Sequence, residues 1–265
     1  MPSQPSDFVS LLETGSDAHM IETTHDIFLR GALTIEQPSK GYRAGTDAVL
    51  LAAAAASFPV TQVLEAGCGV GTALLSFASL RADSTLCLTG LEKDEAACSL
   101  AEANARRNLL PGEIKFVVGD VLAPDEALLG QHDLVFSNPP YFDDDQAIRD
   151  PDETRQAAYI LGAPLEAWIK GMLAMARPKG RFLMIHRADR MPDILAALRG
   201  KAGDIGVCPI RPRAGDPAKR VVVSARKGSR APLRLLAGID MHPPMGEGRF
   251  SAAYQAICEG GVLAV

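Results

Sequence analysis

The chain has 265 residues, of which 47% are hydrophobic and 22% charged, and its formal net charge is −5. This length allows one domain with an appendage or two small domains. The composition excludes a mostly disordered chain, a collagen-like chain and a coiled coil. The charge is uneven, because residues 1–176 hold 11 Lys and Arg against 25 Asp and Glu, whereas residues 177–234 hold 15 against 4. The basic portion predicts either a polyanionic partner or an ordinary solvated face.

The cysteines and the apolar runs indicate the compartment. Five cysteines at irregular spacing fit neither a disulfide framework nor a zinc site, so we expect free thiols and no metal. The N-terminus lacks the basic and apolar regions of a signal peptide. The longest apolar run, Ala48–Phe58, is too short to span a bilayer. We therefore expect a cytoplasmic protein that does not enter membranes.

The first sixty residues predict an appendage to a larger domain. Residues 1–25 are polar and without period, which is typical of a flexible tail. Next, Ile27–Arg30 and Leu33–Glu36 alternate around a glycine and predict a β-hairpin. Thr46 or Asp47 is then expected to cap an alanine-rich helix that Pro59 ends. We expect residues 26–60 to pack on a core domain of residues 61–265.

From Gln62 onward, predicted strands and helices alternate. Strands are expected at Gln62–Ala66, Thr85–Leu91, Ile114–Val118, Asp133–Ser137, Arg181–His186, Asp204–Ile210 and Arg220–Ala225. Helices are expected at Thr72–Leu80, Asp94–Asn108, Leu165–Ala176 and Met191–Lys201, with a turn at Pro178–Gly180. This order predicts an α/β fold with a doubly wound, mostly parallel seven-stranded sheet. The last two strands have no helix between them, which indicates an antiparallel hairpin at the edge of the sheet.

A glycine-rich loop follows the first of these strands. Gly67, Gly69 and Gly71 alternate before a helix, a place where glycines let a ligand approach the backbone closely. Thr72 stands where a dinucleotide-binding loop needs its third glycine. The loop therefore predicts a ligand that does not need to present a phosphate, although a tight turn without a ligand would use the same glycines.

Two carboxylates follow the next two strands. Glu92 comes 25 residues after Gly67, and an acidic group at this place can accept hydrogen bonds from both ribose hydroxyls of a nucleoside. Alternatively, Glu92 is a solvated residue at the start of a helix. Asp120 could accept from the amine of an adenine or could form an Asx turn. Together with the glycine loop, Glu92 favours nucleoside binding.

The most specific motif is Asn138-Pro139-Pro140-Tyr141, at the carboxyl end of an apolar strand. Ligands bind at that edge of open α/β sheets. The Asn138 side-chain oxygen and the Pro139 carbonyl can each accept a hydrogen bond from one planar –NH2 group. The prolines restrict the backbone and remove competing donors, and the Tyr141 ring can stack on a base. The motif predicts that an amine is held for reaction.

These motifs, in this order, resemble class I S-adenosylmethionine-dependent methyltransferases of the amino-methylating branch, which act on adenine N6 or on protein glutamine. The segments Asp26–Gly31, Gly41–Arg43 and Asp47–Leu51 are similar to the opening of the bacterial tRNA(Val) adenine-N6 methyltransferase family. The chain departs from that family at Asp143–Asp145, where basic residues are expected. The resemblance implies S-adenosyl-L-methionine as cofactor, with Asn138, Pro139, Pro140 and Tyr141 as catalytic residues. It implies a cofactor site made of Tyr42, Arg43, Asp47, Glu65, Gly67, Cys68, Gly69, Gly71, Glu92, Lys93, Asp120, Val121 and Asn138.

We therefore expect a methyltransferase acting on adenine N6 in RNA, with tRNA as the expected substrate, bound through segment 177–234. Within that segment, Arg211, Arg213, Lys219 and Arg220 are expected to face the RNA. Methylation of a protein glutamine uses the same four-residue motif and stays open, as does a non-catalytic RNA-binding module on this scaffold. Thr72 and the Asn-Pro-Pro-Tyr motif argue against a nicotinamide oxidoreductase.

Overall fold

A mixed β-sheet runs through the computed structural model, which describes residues 22–41, 43–140, 165–244 and 248–265. Its strands are β3 (Gln62–Ala66), β4 (Cys87–Glu92), β5 (Glu113–Val118), β6 (His132–Ser137), β7 (Ala176–Arg187), β8 (Ala202–Arg211), β9 (Arg220–Lys227), β10 (Arg234–Leu235) and β11 (Ile239–Asp240). The strand order is β10-β8-β9-β7-β6-β3-β4-β5, and β11 also pairs with β8. The seven longer strands match the predicted ones.

Strand direction confirms the doubly wound arrangement. Strand β3 pairs in parallel with β4 and β6, and the parallel set continues to β5 and β7. Only β9 runs antiparallel to its neighbours β7 and β8. The β8–β9 hairpin is antiparallel, as predicted. Its predicted position at the edge of the sheet is wrong, because β10 and β11 pair in parallel with the outer side of β8. These two strands have two residues each, too few to show an alternating pattern.

Helices cover both faces of the sheet. They are α1 (Thr46–Ala56), α2 (Thr72–Arg81), α3 (Glu95–Asn108), α4 (Leu165–Met175), α5 (Met191–Leu198) and α6 (Ala252–Cys258). One core cluster contains α1, α2 and part of α3, and the other contains α4 and α5. Alternate residues of the inner strands enter different clusters, as Leu134 and Phe136 do on one face and Val135 on the other. Burial on both faces explains the continuous apolar runs of these strands.

The boundaries differ from the prediction at the start of α1 and at the start of β7. Gly45, not Thr46 or Asp47, is the N-cap of α1, and no side chain caps that helix. The expected turn at Pro178–Gly180 lies inside β7, where the pairing with β6 shifts between His132 and Leu134 and Lys179 adopts a φ of +65°. The chain therefore makes its turn as an irregularity within a strand.

The N-terminal hairpin is held by two asparagines of α3. It consists of β1 (Thr23–Phe28) and β2 (Leu33–Pro38), so its first strand begins inside the segment predicted as a tail. Asn104 accepts from the Glu36 N–H (2.8 Å) and donates to the Glu36 carbonyl (2.9 Å). Asn108 makes the same pair of bonds with Thr34. Two asparagines one helical turn apart thus satisfy the backbone N–H and C=O groups of two alternate residues at the edge of β2.

Candidate active site at the carboxyl edge of the sheet

The glycine loop begins where β3 ends and leads into α2. Gly67, Gly69 and Gly71 have φ angles of +69°, +53° and +83°, a region that favours glycine. A Cβ at Gly71 would lie 3.0 Å from the Phe116 ring, whereas a Cβ at Gly69 would meet nothing within 4 Å. The loop is therefore closely packed at Gly71 and open above Gly69, where a ligand can approach the backbone.

Glu65 lies beneath this loop and supports it. Its carboxylate accepts from the Leu74 N–H at 2.7 Å, so it satisfies a donor in the first turn of α2 that Gly71, as N-cap, cannot reach. The side chain is buried. Burial raises its pKa well above the ordinary value, and the nearby Glu92 charge adds to this effect. The structure thus places Glu65 as an internal cap of α2 under the loop.

Cys68 also belongs to the packed underside of the loop. Its thiol is buried and lies against the backbone of Gly90, where a Cβ would approach the sulfur to 2.8 Å. Burial raises the pKa of the thiol well above its ordinary value, and the nearby Glu92 charge acts in the same direction. Cys68 is therefore a packing residue with a protonated thiol at neutral pH.

Glu92, at the end of β4, faces the glycine loop. One carboxylate oxygen accepts from the Gly69 N–H at 2.8 Å, and the other accepts from the N–H groups of Lys93 and Asp94. Asp94 caps α3, so Glu92 is not needed for that task. Each carboxylate oxygen has two acceptor positions, so the oxygen bonded to Gly69 keeps one position for a ligand.

Asp120 and Val121 follow β5 at the same edge. Asp120 accepts from the Leu122 N–H (2.9 Å), which is the Asx turn considered above, and its other oxygen lies 3.2 Å from the Lys93 ammonium. Both charged groups are partly exposed, Lys93 more so than Asp120. Val121 is buried against Gly171 of α4. Lys93 and Asp120 thus form one ion pair beside Glu92.

Asn138 directly follows β6, on the other side of β3. Its neighbour Ser137 is fully buried and donates to the Ala66 carbonyl at 2.6 Å. Trp168 of α4 donates from its ring nitrogen to the Ser137 hydroxyl at 3.0 Å. Asn138 is half-buried, Pro139 is buried and Pro140 is exposed, while Tyr141 lies outside the described residues. Ser137 and Trp168 were not among the predicted site residues, although a single tryptophan in the chain was a signal for the second.

The N-terminal candidates make other contacts. Arg43 pairs with Asp26 and donates to the Pro38 carbonyl, and Tyr42 lies outside the described residues. Asp47 pairs with Arg220 of β9 at 3.0 Å. Arg43 and Asp26 line an open groove of about 710 Å³ between the hairpin and the C-terminal segment. The described contacts therefore join Arg43 and Asp47 to the hairpin and to β9, not to the glycine loop.

The basic segment does not form a single face. Strand β9 begins at the carboxyl end of β7, where Arg220 lies opposite Arg187 in the strand register. The β8–β9 loop therefore lies at the same sheet edge as Asn138. Arg213 and Lys219 of that loop are exposed, and neither has an ion-pair partner among the described residues. Arg211 and Arg220, in contrast, pair with Asp240 and Asp47. Other basic residues lie near the opposite edge, among them Lys179, Arg226, Lys227 and Arg230.

Membrane-spanning helices and metal centres are two features that the described part of the chain lacks. Among the described helices, none is long and apolar enough to cross a membrane. Within the same part of the chain, no group of three His, Cys, Asp or Glu side chains is placed to hold a metal ion.

Comparison with known proteins places the chain among methyltransferases. Residues 43–154 match the family described as methyltransferase small domain. A tRNA1(Val) (adenine(37)-N6)-methyltransferase of Porphyromonas gingivalis is 32% identical over 175 residues, covering 64% of this chain and 68% of the relative. One of the same name from Dickeya chrysanthemi is 29% identical over 197 residues, covering 74% and 77%. A predicted O-methyltransferase from Agrobacterium tumefaciens shares the fold, with a TM-score of 0.66 at 24% identity over 83% of this chain and 99% of that one.

Proposed function

The chain belongs to the family of tRNA1(Val) (adenine(37)-N6)-methyltransferases, and from this membership we propose that it transfers a methyl group from S-adenosyl-L-methionine to the N6 amine of an adenine in tRNA. One observation carries the proposal beyond the resemblance. The glycine loop, Glu92 and Asn138 lie at one sheet edge, at the ends of adjacent strands. The sheet order changes direction at β3, and ligands of open α/β sheets bind in the crevice at such a point.

The residues at this edge fit S-adenosyl-L-methionine. The space above Gly69 is open, and the half-buried Glu92 keeps an acceptor position beside it, which suits the ribose hydroxyls. Asp120, whose pairing with Lys93 leaves both groups partly exposed, suits the adenine amine. Glu65, Cys68 and Val121 would act from below, by shaping the loop and the pocket wall. When bound, the cofactor supplies an electrophilic methyl group on a sulfonium.

Asn138 would hold the target amine. Its side-chain oxygen and the Pro139 carbonyl, which directly follow β6, would be the two acceptors, and each would take one hydrogen of an adenine N6 amine. Two such bonds draw the amine out of conjugation with the ring and direct its lone pair. Because the methyl group is already reactive, positioning of the amine should dominate the rate enhancement. The proton lost from nitrogen leaves to solvent after transfer.

The remaining candidates follow from the family resemblance. Tyr141 would stack on the target base, and Tyr42, Arg43 and Asp47 would close the methionine end of the cofactor. An adenine inside a duplex cannot reach such a crevice, so the target must be splayed from a single-stranded loop. Exposed cations at the same edge, Arg213 and Lys219, would bind the RNA backbone. A tRNA substrate also implies a cytoplasmic enzyme.

The test is methyl transfer in extracts of cells that lack the gene. Purified protein and tritiated S-adenosyl-L-methionine are added to bulk tRNA and, separately, to total protein. We expect label in tRNA, with N6-methyladenosine as the product nucleoside in mass spectrometry, and a matching loss of that nucleoside in the deletion strain. Label in protein with N5-methylglutamine as product would instead select the glutamine alternative. Binding of tRNA without any transfer would select the non-catalytic module.

A further inference from the structure

Strands β3 and β6 stop pairing just before the candidate site. Their parallel register runs through Leu64 and Val135 and ends with Glu65 opposite Phe136. The next residues are Ala66 and Ser137, followed by the glycine loop on one strand and Asn138 on the other. The distance between these two strand ends therefore determines the distance between the loop and Asn138.

The Ser137 hydroxyl spans the gap where the strands part. It donates to the Ala66 carbonyl at 2.6 Å and accepts from the ring nitrogen of Trp168 at 3.0 Å. Ser137 has no exposed surface, so water cannot replace either partner. In such an environment, hydrogen bonds that depend on one another favour one geometry strongly.

The Trp168 ring also supports the glycine loop directly. A Cβ built on Gly67 would lie 2.7 Å from Cζ2 and 2.9 Å from Cη2 of the indole, so the ring lies against the loop backbone. The Trp168 side chain thus contacts both the glycine loop and Ser137, the residue that precedes Asn138.

We propose that Ser137 and Trp168 form a positioning pair that sets the separation between the glycine loop and Asn138. This inference rests on the proposed function, since it concerns the alignment of the methyl donor with the amine. A misplacement of about 1 Å between reacting groups can lower a rate about 10²-fold. The pair should therefore control turnover much more than the affinity for the cofactor, which the upper side of the loop and Glu92 would bind.

Kinetics of two variants test this role. Ser137→Ala and Trp168→Phe each remove the bond between the two side chains, and the second keeps an aromatic ring under Gly67. We expect kcat to fall at least about 10-fold in each, while KM for tRNA and the Kd for S-adenosylhomocysteine change less than about 3-fold. The kcat of the double variant should be no lower than that of the less active single variant, because the residues act as one unit. Ser224→Ala, an equally buried serine in β9, should leave kcat unchanged.

A spectroscopic measurement is independent of the substrate. Trp168 is the only tryptophan, so emission excited at a wavelength that tyrosine does not absorb reports its ring alone. Ser137→Ala should shift the emission maximum, because the indole N–H loses its acceptor, and Ser224→Ala should not. An unchanged spectrum, additive losses of kcat in the double variant, or losses that follow cofactor affinity would each overturn the positioning pair. If the wild-type protein makes no N6-methyladenosine, the proposed function fails, while the emission shift still decides whether the pair exists.

Discussion

Asn138 is the residue on which the proposed chemistry depends most. As the amine begins to bond to the methyl carbon, its hydrogens become more acidic, so the proposed hydrogen bond to Asn138 would strengthen in the transition state. An interaction of this kind raises turnover more than it tightens binding. Asn138→Ala should lower kcat at least about 10²-fold, the scale of one lost oriented contact. The rate of methyl transfer to unmodified tRNA in a single turnover measures this loss.

The control for Asn138 is the cofactor. Its affinity, measured by calorimetry, should stay within about 3-fold of the wild-type value, a difference of about 0.7 kcal/mol. Full activity of Asn138→Ala, or a loss of activity that is explained by weaker cofactor binding, would remove Asn138 from the proposed role.

Glu65 should make the stability of the fold depend on pH. Its pKa is raised by burial in the folded state. Above the ordinary value of 4.5, the unfolded chain releases this proton whereas the folded protein keeps it. The free energy of unfolding therefore falls as pH rises, by up to about 1.4 kcal/mol per pH unit, until pH passes the raised folded-state pKa.

Glu65→Gln isolates this effect, because a glutamine oxygen can still accept from Leu74 and carries no charge. Relative to wild type, the variant should gain stability as pH rises from about 5 to 8, measured as the difference in urea midpoint. Glu95→Gln, an exposed change in the first turn of α3, is the control and should show no such trend. A constant difference for Glu65→Gln across this range would contradict the raised pKa.

At the scale of elements, α3 connects the hairpin to the glycine loop. Asn104 is fully buried and, besides its two bonds to Glu36, donates to the Val70 carbonyl at 3.1 Å. Arg107 of the same helix pairs with the buried Glu36 carboxylate at 2.6 Å. The hairpin is therefore part of the support of the loop and not only a cover on the core.

Asn104→Ala should detach this support. Each buried backbone group left without a partner costs about 1–3 kcal/mol, so the urea midpoint should fall clearly. Amide hydrogen exchange should speed up in β2 and in the glycine loop together. Asn108→Ala, which removes a part-buried pair of bonds to Thr34, is the matched control and should affect β2 alone. Faster exchange in the loop from Asn108→Ala, or none from Asn104→Ala, would contradict the connection.

The elements show how far the sequence predicts this fold. The sequence predicts strands β3 to β9 and helices α2 and α3 to within a few residues of their observed bounds, because their apolar runs and caps are local signals. The asparagine contacts of α3 could not be predicted, since residues 104 and 36 are joined only by tertiary packing. The Ser137–Trp168 bond was missed for the same reason. Strands β10 and β11 exist only because β8 offers an edge to pair with.

At the scale of the whole molecule, the sequence predicted the excess of basic charge but not its distribution. A linear segment that passes through a helix and three strands returns to both edges of the sheet, so its charges separate. Eight of its fifteen Lys and Arg side chains form ion pairs within the described fold. They are Arg177, Arg181, Arg187, Arg190, Lys201, Arg211, Arg220 and Arg234. Arg211 and Arg220 were expected to face RNA, and their carboxylate partners reduce their value for that purpose.

This separation of charge allows a sharp test of how tRNA docks. Arg213 and Lys219 lie in the β8–β9 loop at the edge that holds Asn138, whereas Arg226 and Arg230 lie toward the opposite edge. All four are exposed. The double reversal Arg213→Glu/Lys219→Glu changes the net charge by the same amount as Arg226→Glu/Arg230→Glu. A difference between the two variants therefore reports the place of the charges and not their number.

If RNA crosses the carboxyl edge, the first variant should bind unmodified tRNA at least about 10-fold more weakly than wild type at low salt. The slope of log K against log salt should become shallower by about 2, one unit for each lost phosphate contact. The second variant should match wild type in tRNA affinity and in salt slope. The cofactor affinity of each variant should be unchanged. Equal weakening in the two variants would mean that only overall charge attracts the RNA. If neither weakens, Arg213 and Lys219 are solvated surface residues, and the docking surface lies on other parts of the chain.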